Sequence, residues 1–205
     1  MTTFLTSDSH WGHSNILHLC NRPWLRPGDM VDHPGGYKVW ASPEIKELRT
    51  LEMDEALIDR WNAVVGKRDL VYHLGDFAYN KTWTTQDLDK VFNRLNGKII
   101  LVKGNHDKLA WGCRSRFHAA YDGLAEVDVD GQTVVLCHYA MRTWKGSHRG
   151  AFHIYGHSHG TLSDDPNSRS FDVGVDCHNF APISFEQVKE IMSKKNFKPV
   201  DHHKQ

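Results

Sequence analysis

Short apolar segments that each end in a motif of glycine, acid and histidine constrain this chain most. Residues 2–7, 69–74 and 98–103 are β-branched or apolar enough for buried strands. Each runs straight into a polar set: Asp8-Ser9-His10, Gly75-Asp76 and Gly104-Asn105-His106-Asp107. Helical patterns lie between them. Residues 13–20 suit a short helix and 84–95 another, while Leu51, Met53, Leu57, Ile58 and Trp61 share a face that predicts an amphipathic helix over 51–63. Strands alternating with helices specify an α/β core, and motifs that follow strands can converge at one sheet edge, where α/β proteins place ligands.

From Leu124 onward the pattern turns more antiparallel. Residues 125–129 and 133–137 predict a hairpin around Asp130-Gly131, with His138 at its exit. A strand over 152–155 leads into Gly156-His157-Ser158-His159, another is expected over 171–175, and a last helix starts near Ser184. Two sheets with helices outside fit this order. Pro23, Pro27, Pro34, Pro43 and Gly35-Gly36 make 21–50 a long irregular excursion, read as a lid or an interface. At 205 residues the chain suits one domain, 1–205, with a frayed polar tail over 201–205.

The formal net charge is zero, which gives no general attraction to nucleic acid or anionic lipid, and no apolar run is long enough to span a membrane. Four widely spaced cysteines and an N-terminus without a secretory pattern lead to an expectation of free thiols and a cytoplasmic location. The unusual count is 15 histidines, the commonest metal-ligating side chain.

The strand-end motifs supply carboxylates at Asp8 and Asp76, an amide oxygen at Asn105 and imidazoles at His10, His138, His157 and His159. The lack of thiolates weighs against a closed structural zinc site, and the mixed oxygen and nitrogen set suits Mn first, with Fe, Ni or catalytic Zn, better than Ca or Mg alone. Asp8 and His10 are two apart, as are His157 and His159, so on a continuing strand each pair would face one side. Gly75, Gly104 and Gly156 precede ligand candidates, where a residue without Cβ permits a tight strand-to-loop turn.

In order, the blocks D-x-H, GD, GNH with an acid, a lone His and G-H-x-H make residues 8 to 159 resemble the calcineurin-like metallophosphoesterase superfamily. The resemblance implies an α/β four-layer α/β/β/α sandwich of two mixed sheets flanked by helices. It implies two divalent transition-metal ions, Asp8, His10 and His159 holding the first, Asn105, His138 and His157 the second, and Asp76 bridging both. Two such ions clamp a phosphate and acidify a bridging water, so hydroxide is the expected nucleophile of an in-line attack. His106 matches the family histidine beside the scissile phosphate, a catalytic stabiliser or acid that Asp107 is expected to orient.

His13, Arg142 and His148 are candidate substrate contacts, with Lys145 and Arg149 nearby in sequence. His18, His33, His73, His118, His153, His202 and His203 read as ordinary surface or core residues, and Asp172, Asp176 and Asn179 as loop-shaping. Protein phosphatases of the superfamily follow GD with a segment ending in Asp-Arg-Gly. Here Gly75-Asp76 is followed by Phe77-Ala78-Tyr79-Asn80, and Asp107 stands where those enzymes carry glutamate. The chain is more similar to small bacterial and phage phosphoesterases, which share Ser-Asp-x-His-x-Gly-His. The expected substrate is a small phosphodiester, a nucleotide or a nucleic-acid end, acted on by a monomer or small homo-oligomer. The alternatives are a phosphomonoesterase or pyrophosphatase of the same fold and a non-catalytic metal-binding scaffold.

Overall fold

The structure, a computed structural model, describes residues 1–200. The expected frayed tail, with His202 and His203, lies outside the described residues. In chain order the elements are β1 (Thr3–Thr6), α1 (Ser14–Leu19), β2 (Met30–Asp32), β3 (Lys38–Trp40), α2 (Pro43–Val64), β4 (Leu70–His73), α3 (Thr85–Phe92) and β5 (Lys98–Val102). There follow α4 (Lys108–Gly112), β6 (Ala119–Tyr121), β7 (Leu124–Val129), β8 (Gln132–Cys137), β9 (Phe152–Tyr155), β10 (Ser170–Asp172), β11 (Ile183–Ser184) and α5 (Phe185–Ser193). Among the described residues, no helix is long and apolar enough to cross a membrane.

Two mixed sheets form the core. The first has the order β11-β1-β4-β5-β6, parallel except for β11, which runs antiparallel to β1. The second has the order β10-β9-β8-β7. Only β7 and β8 form the expected hairpin, through the left-handed Asp130 and Gly131. The pairs β8/β9 and β9/β10 are parallel, so the second half is less antiparallel than its pattern suggested. A parallel pair needs a crossover, and residues 138–151 provide it.

Strand alternation sorts the side chains into two cores. Leu5, Tyr72, Leu74, Ile100 and Val102 face Val134, Leu136, Phe152 and Ile154 of the second sheet. Phe4, Val71, Ile99 and Leu101 point the other way, onto Leu17, Met53, Leu57, Trp61 and Leu88 of the helices. Burying each such side chain contributes about 1.5–3 kcal/mol. The outer face of the second sheet is covered by the crossover, where Trp144 and Ala151 pack on Val135.

The excursion is shorter than predicted and partly regular. Its residues 30–40 pair as the β2/β3 hairpin. α2 begins at Pro43 rather than near 51: Ser42 Oγ accepts from the Ile45 N–H at 3.2 Å, and proline takes the first helical position, where no N–H is needed.

Candidate metal centre and active site

The loops leaving β1, β4, β5, β8 and β9 meet at one edge of the two sheets. Backbone hydrogen bonds stitch them: Asp8 N–H to Gly75 O at 3.0 Å, His10 N–H to Asp76 O at 3.0 Å and Gly156 N–H to His138 O at 3.0 Å. Asp8, His10, Asp76, His157 and His159 all have positive φ, between 47° and 68°. That conformation is costly for a residue with a side chain, and concentrating it here marks a functional site. It also corrects the geometric expectation for Asp8/His10 and His157/His159, which share no strand face because each chain turns left-handed immediately after its strand.

The glycines act mainly through close approach. A Cβ on Gly75 would lie 2.5 Å from Gly104 N, and one on Gly104 would lie 2.5 Å from Asp76 Oδ1; one on Gly156 would collide with Ser7 and Asp8. Of the three, Gly75 alone also needs its positive φ of 94°.

The seven ligand candidates come together as two clusters. Asp8, His10 and His159 offer atoms within 4.8 Å of one another, and so do Asp76, His138 and His157. Asp76 Oδ2 lies 3.5 Å from His10 Nε2 and 3.5 Å from His138 Nε2, so one carboxylate oxygen faces both clusters. Asn105 Oδ1 joins the second at 3.0 Å from His138 Nε2.

The donor chemistry fits cations. His138 Nδ1 lies 2.7 Å from Leu74 O, a bond that places the proton on that nitrogen and leaves Nε2 as a lone pair beside Asp76 and Asn105. Asp8 Oδ1 and His10 Nε2 are buried with no hydrogen-bond partner among the described residues. Burial pushes the Asp8 carboxyl up to about 8 and drives the His10 imidazole well below its usual range, with Arg22 adding to the second effect. Burial alone would lower the pKa of His159, but the bonds to Asp176 and Cys20 and the Asp8 charge hold it up at about 10. A divalent cation would reverse these costs by stabilising the carboxylate and the neutral imidazole.

His106 stands beside both clusters, its backbone N–H on Asp76 Oδ1 at 2.7 Å and its ring 5.6 Å from that of His10. His13 is on the same side, with Nδ1 3.1 Å from His10 Nδ1 and its ring packed edge-on against Tyr79. Asp107 corrects the expectation made for it. Its carboxylate accepts from the backbone N–H groups of Asp76, Phe77 and Gly104 at 2.9, 2.7 and 2.8 Å, and it clasps two ligand loops instead of orienting the His106 ring. Burial, opposed by those bonds, raises its pKa to about 6.

His148 is also misplaced by the sequence reading. With Arg149 it lines a cleft at Gly131 and Gln132, the start of β8, while His138 lies beyond the other end of that strand, roughly 20 Å away at strand rise. Arg142 is exposed and lines a cleft with Leu162, Asp165 and Phe197, separate from the one that contains His106.

Two supporting residues escaped sequence reasoning. Asp176, expected only to shape its loop, accepts from His159 Nδ1 at 2.8 Å. Arg22, 1% exposed, holds that carboxylate with Nε and Nη2 at 2.9 Å each and reaches Ser9 O at 3.0 Å and Asp8 O at 2.7 Å. Neither sits in a motif. The one signal for Arg22 was a lone arginine between the first histidines and Pro23.

Two mixed sheets flanked by helices, with carboxylate, amide and imidazole donors gathered at one sheet edge, define a class of metal-dependent hydrolases. The profile of the calcineurin-like phosphoesterase superfamily domain matches residues 49–171, and the chain belongs to that superfamily, whose members bind divalent metals and hydrolyse phosphate esters. The uncharacterized protein MJ1445 of Methanocaldococcus jannaschii is 27% identical over 196 residues, covering 93% of this chain and 91% of its own. The gene 66 protein of Mycobacterium phage D29 is 26% identical over 218 residues, covering 93% and 95%. Among solved structures, the protein of unknown function AQ665 from Aquifex aeolicus shares the fold with a TM-score of 0.62 at 20% identity, covering 93% and 98%.

Proposed function

We propose that the chain is a phosphodiesterase with a dinuclear metal site, in which Asp8, His10 and His159 hold one divalent ion, Asn105, His138 and His157 the other, and Asp76 is shared. The observation that carries this reading is Asp76 Oδ2 at 3.5 Å from an imidazole of each cluster. Two ions held there would neutralise phosphate charge and supply an acidified water.

The rest of the chemistry belongs to side chains. Hydroxide, left when that water gives a proton to solvent, forms the new bond to phosphorus as the ester P–O bond breaks, and His106 gives the departing alkoxide its proton. His13, whose Nδ1 lies 3.1 Å from His10 Nδ1, is assigned to a non-bridging phosphate oxygen. Asp107 holds the Asp76 and Gly104 loops in register, and Asp176 fixes the ring of His159. The missing Asp-Arg-Gly after Gly75-Asp76 favours small diesters over phosphoproteins.

The test is hydrolysis of bis-p-nitrophenyl phosphate beside p-nitrophenyl phosphate, by stripped protein resupplied with Mn, Ni, Zn or Mg. The expected result is metal-dependent cleavage of the diester in preference to the monoester. Preference for the monoester would overturn the diesterase assignment, and silence with two ions bound would favour a scaffold.

A further inference from the structure

A cleft of about 600 Å³ opens beside His106, and Tyr79, Lys81, Trp83, Lys108 and Leu109 line it. Its volume lies within the range of small-molecule sites, about 300–1,000 Å³. The Tyr79 ring stands edge-on to His106, with centroids 4.5 Å apart. The Trp83 ring is seated so closely on Gly12 that a Cβ there would collide with it, which fixes the indole as one wall. Asn80 spends its amide on the Gly12 carbonyl and on Thr82, so it holds the loop rather than a ligand. Lys81 and Lys108 are exposed and form no ion pair among the described residues.

We infer that this cleft receives the leaving-group half of the diester and that this half is a nucleotide, its base against Trp83 and Tyr79 and a further phosphate on Lys81 and Lys108. The inference rests on the phosphodiesterase reading. A residue that protonates the leaving oxygen has the leaving group on its own side, and the cleft is on the His106 side. Aromatic walls accept any nucleobase, because every base has a stacking face. Two unpaired ammonium groups suit a second anionic group, and with zero net charge on the chain this attraction is local. A lipid or sugar leaving group would leave both lysines without a partner.

The test is calorimetric titration of the full chain loaded with Mn and carrying His106→Ala to suppress hydrolysis, with the dinucleotides pTpT and TpT and with dimethyl phosphate. The expected order is pTpT tightest, at least tenfold above dimethyl phosphate, and the double variant Lys81→Met/Lys108→Met should lose at least fivefold in pTpT affinity. Trp83→Leu should weaken both dinucleotides, with circular dichroism confirming that each variant is folded. Equal binding of pTpT and dimethyl phosphate, or indifference to the lysines, would overturn the inference. If the metal-loaded wild type still cleaved bis-p-nitrophenyl phosphate, the phosphodiesterase reading would survive that result. If pTpT bound tightly but no diester were cleaved with any metal, the phosphodiesterase reading would fail and take the leaving-group assignment with it.

Discussion

His159 Nδ1 and Asp176 Oδ2 are 2.8 Å apart, and Arg22 grips the same carboxylate from behind with two nitrogens. This chain of contacts fixes which nitrogen of His159 points towards Asp8. Partners of this kind are worth about 10–100-fold in metal affinity. Asp176→Asn should therefore weaken the first ion by that factor in a chelator competition. It should also leave Arg22 buried without its counter-charge, at a cost of about 3–5 kcal/mol. Unchanged affinity in a folded Asp176→Asn protein would remove Asp176 from the account.

His106→Ala should lower kcat on a diester by about 10²–10⁴-fold. Metal content should not change, since the contact of His106 with Asp76 is through its backbone N–H, which alanine retains. Parallel loss of metal and activity would show a structural role instead.

Gly104→Ala tests the close approach of the loops. The new methyl would sit 2.5 Å from Asp76 Oδ1, and overpacking of this kind costs about 1–3 kcal/mol. The expected outcome is lower activity together with a lower denaturant midpoint. Wild-type values for both would show that the loops have slack.

Asp54 supplies a pH prediction clear of the metal ligands. Burial raises its carboxyl to about 8, against the opposing bonds from Gly12 N–H at 3.1 and 3.0 Å. A carboxyl whose folded pKa is raised above its unfolded value near 4 adds stability at low pH, and that stability is lost as pH rises through about 8. The largest slope is about 1.4 kcal/mol per pH unit. Urea unfolding between pH 5 and 9 should show wild type losing stability relative to Asp54→Asn, whose neutral amide keeps an acceptor for Gly12. A constant difference between the two would contradict a buried, protonated Asp54.

What was legible in the sequence was whatever a local pattern encodes. The strand-end motifs, the Asp130-Gly131 hairpin and the apolar face of Met53, Leu57, Ile58 and Trp61 all carry their signal within a few residues. The first two turns of α2 carry no apolar stripe, since 43–50 bury fully only Arg49, and Pro43 reads as a breaker although Ser42-Pro43-Glu44 is a helix-start signature. The parallel pairing of β9 was hidden because periodicity gives a strand but not its direction. Arg22 and Asp176 meet across 154 positions of chain, which no spacing rule anticipates. Asp107 shows a different limit: its neighbour in sequence is His106, but its partners in space are three backbone N–H groups.

If Asp76 joins two metal positions, metal stoichiometry reads it directly. Protein reloaded with excess Mn, freed of unbound metal and analysed by elemental mass spectrometry should carry two ions per chain. Asp76→Ala, which removes the shared carboxylate, should carry fewer than one and hydrolyse diesters near background. One ion per wild-type chain, or two retained by a fully active Asp76→Ala protein, would show that Asp76 does not join two metal positions.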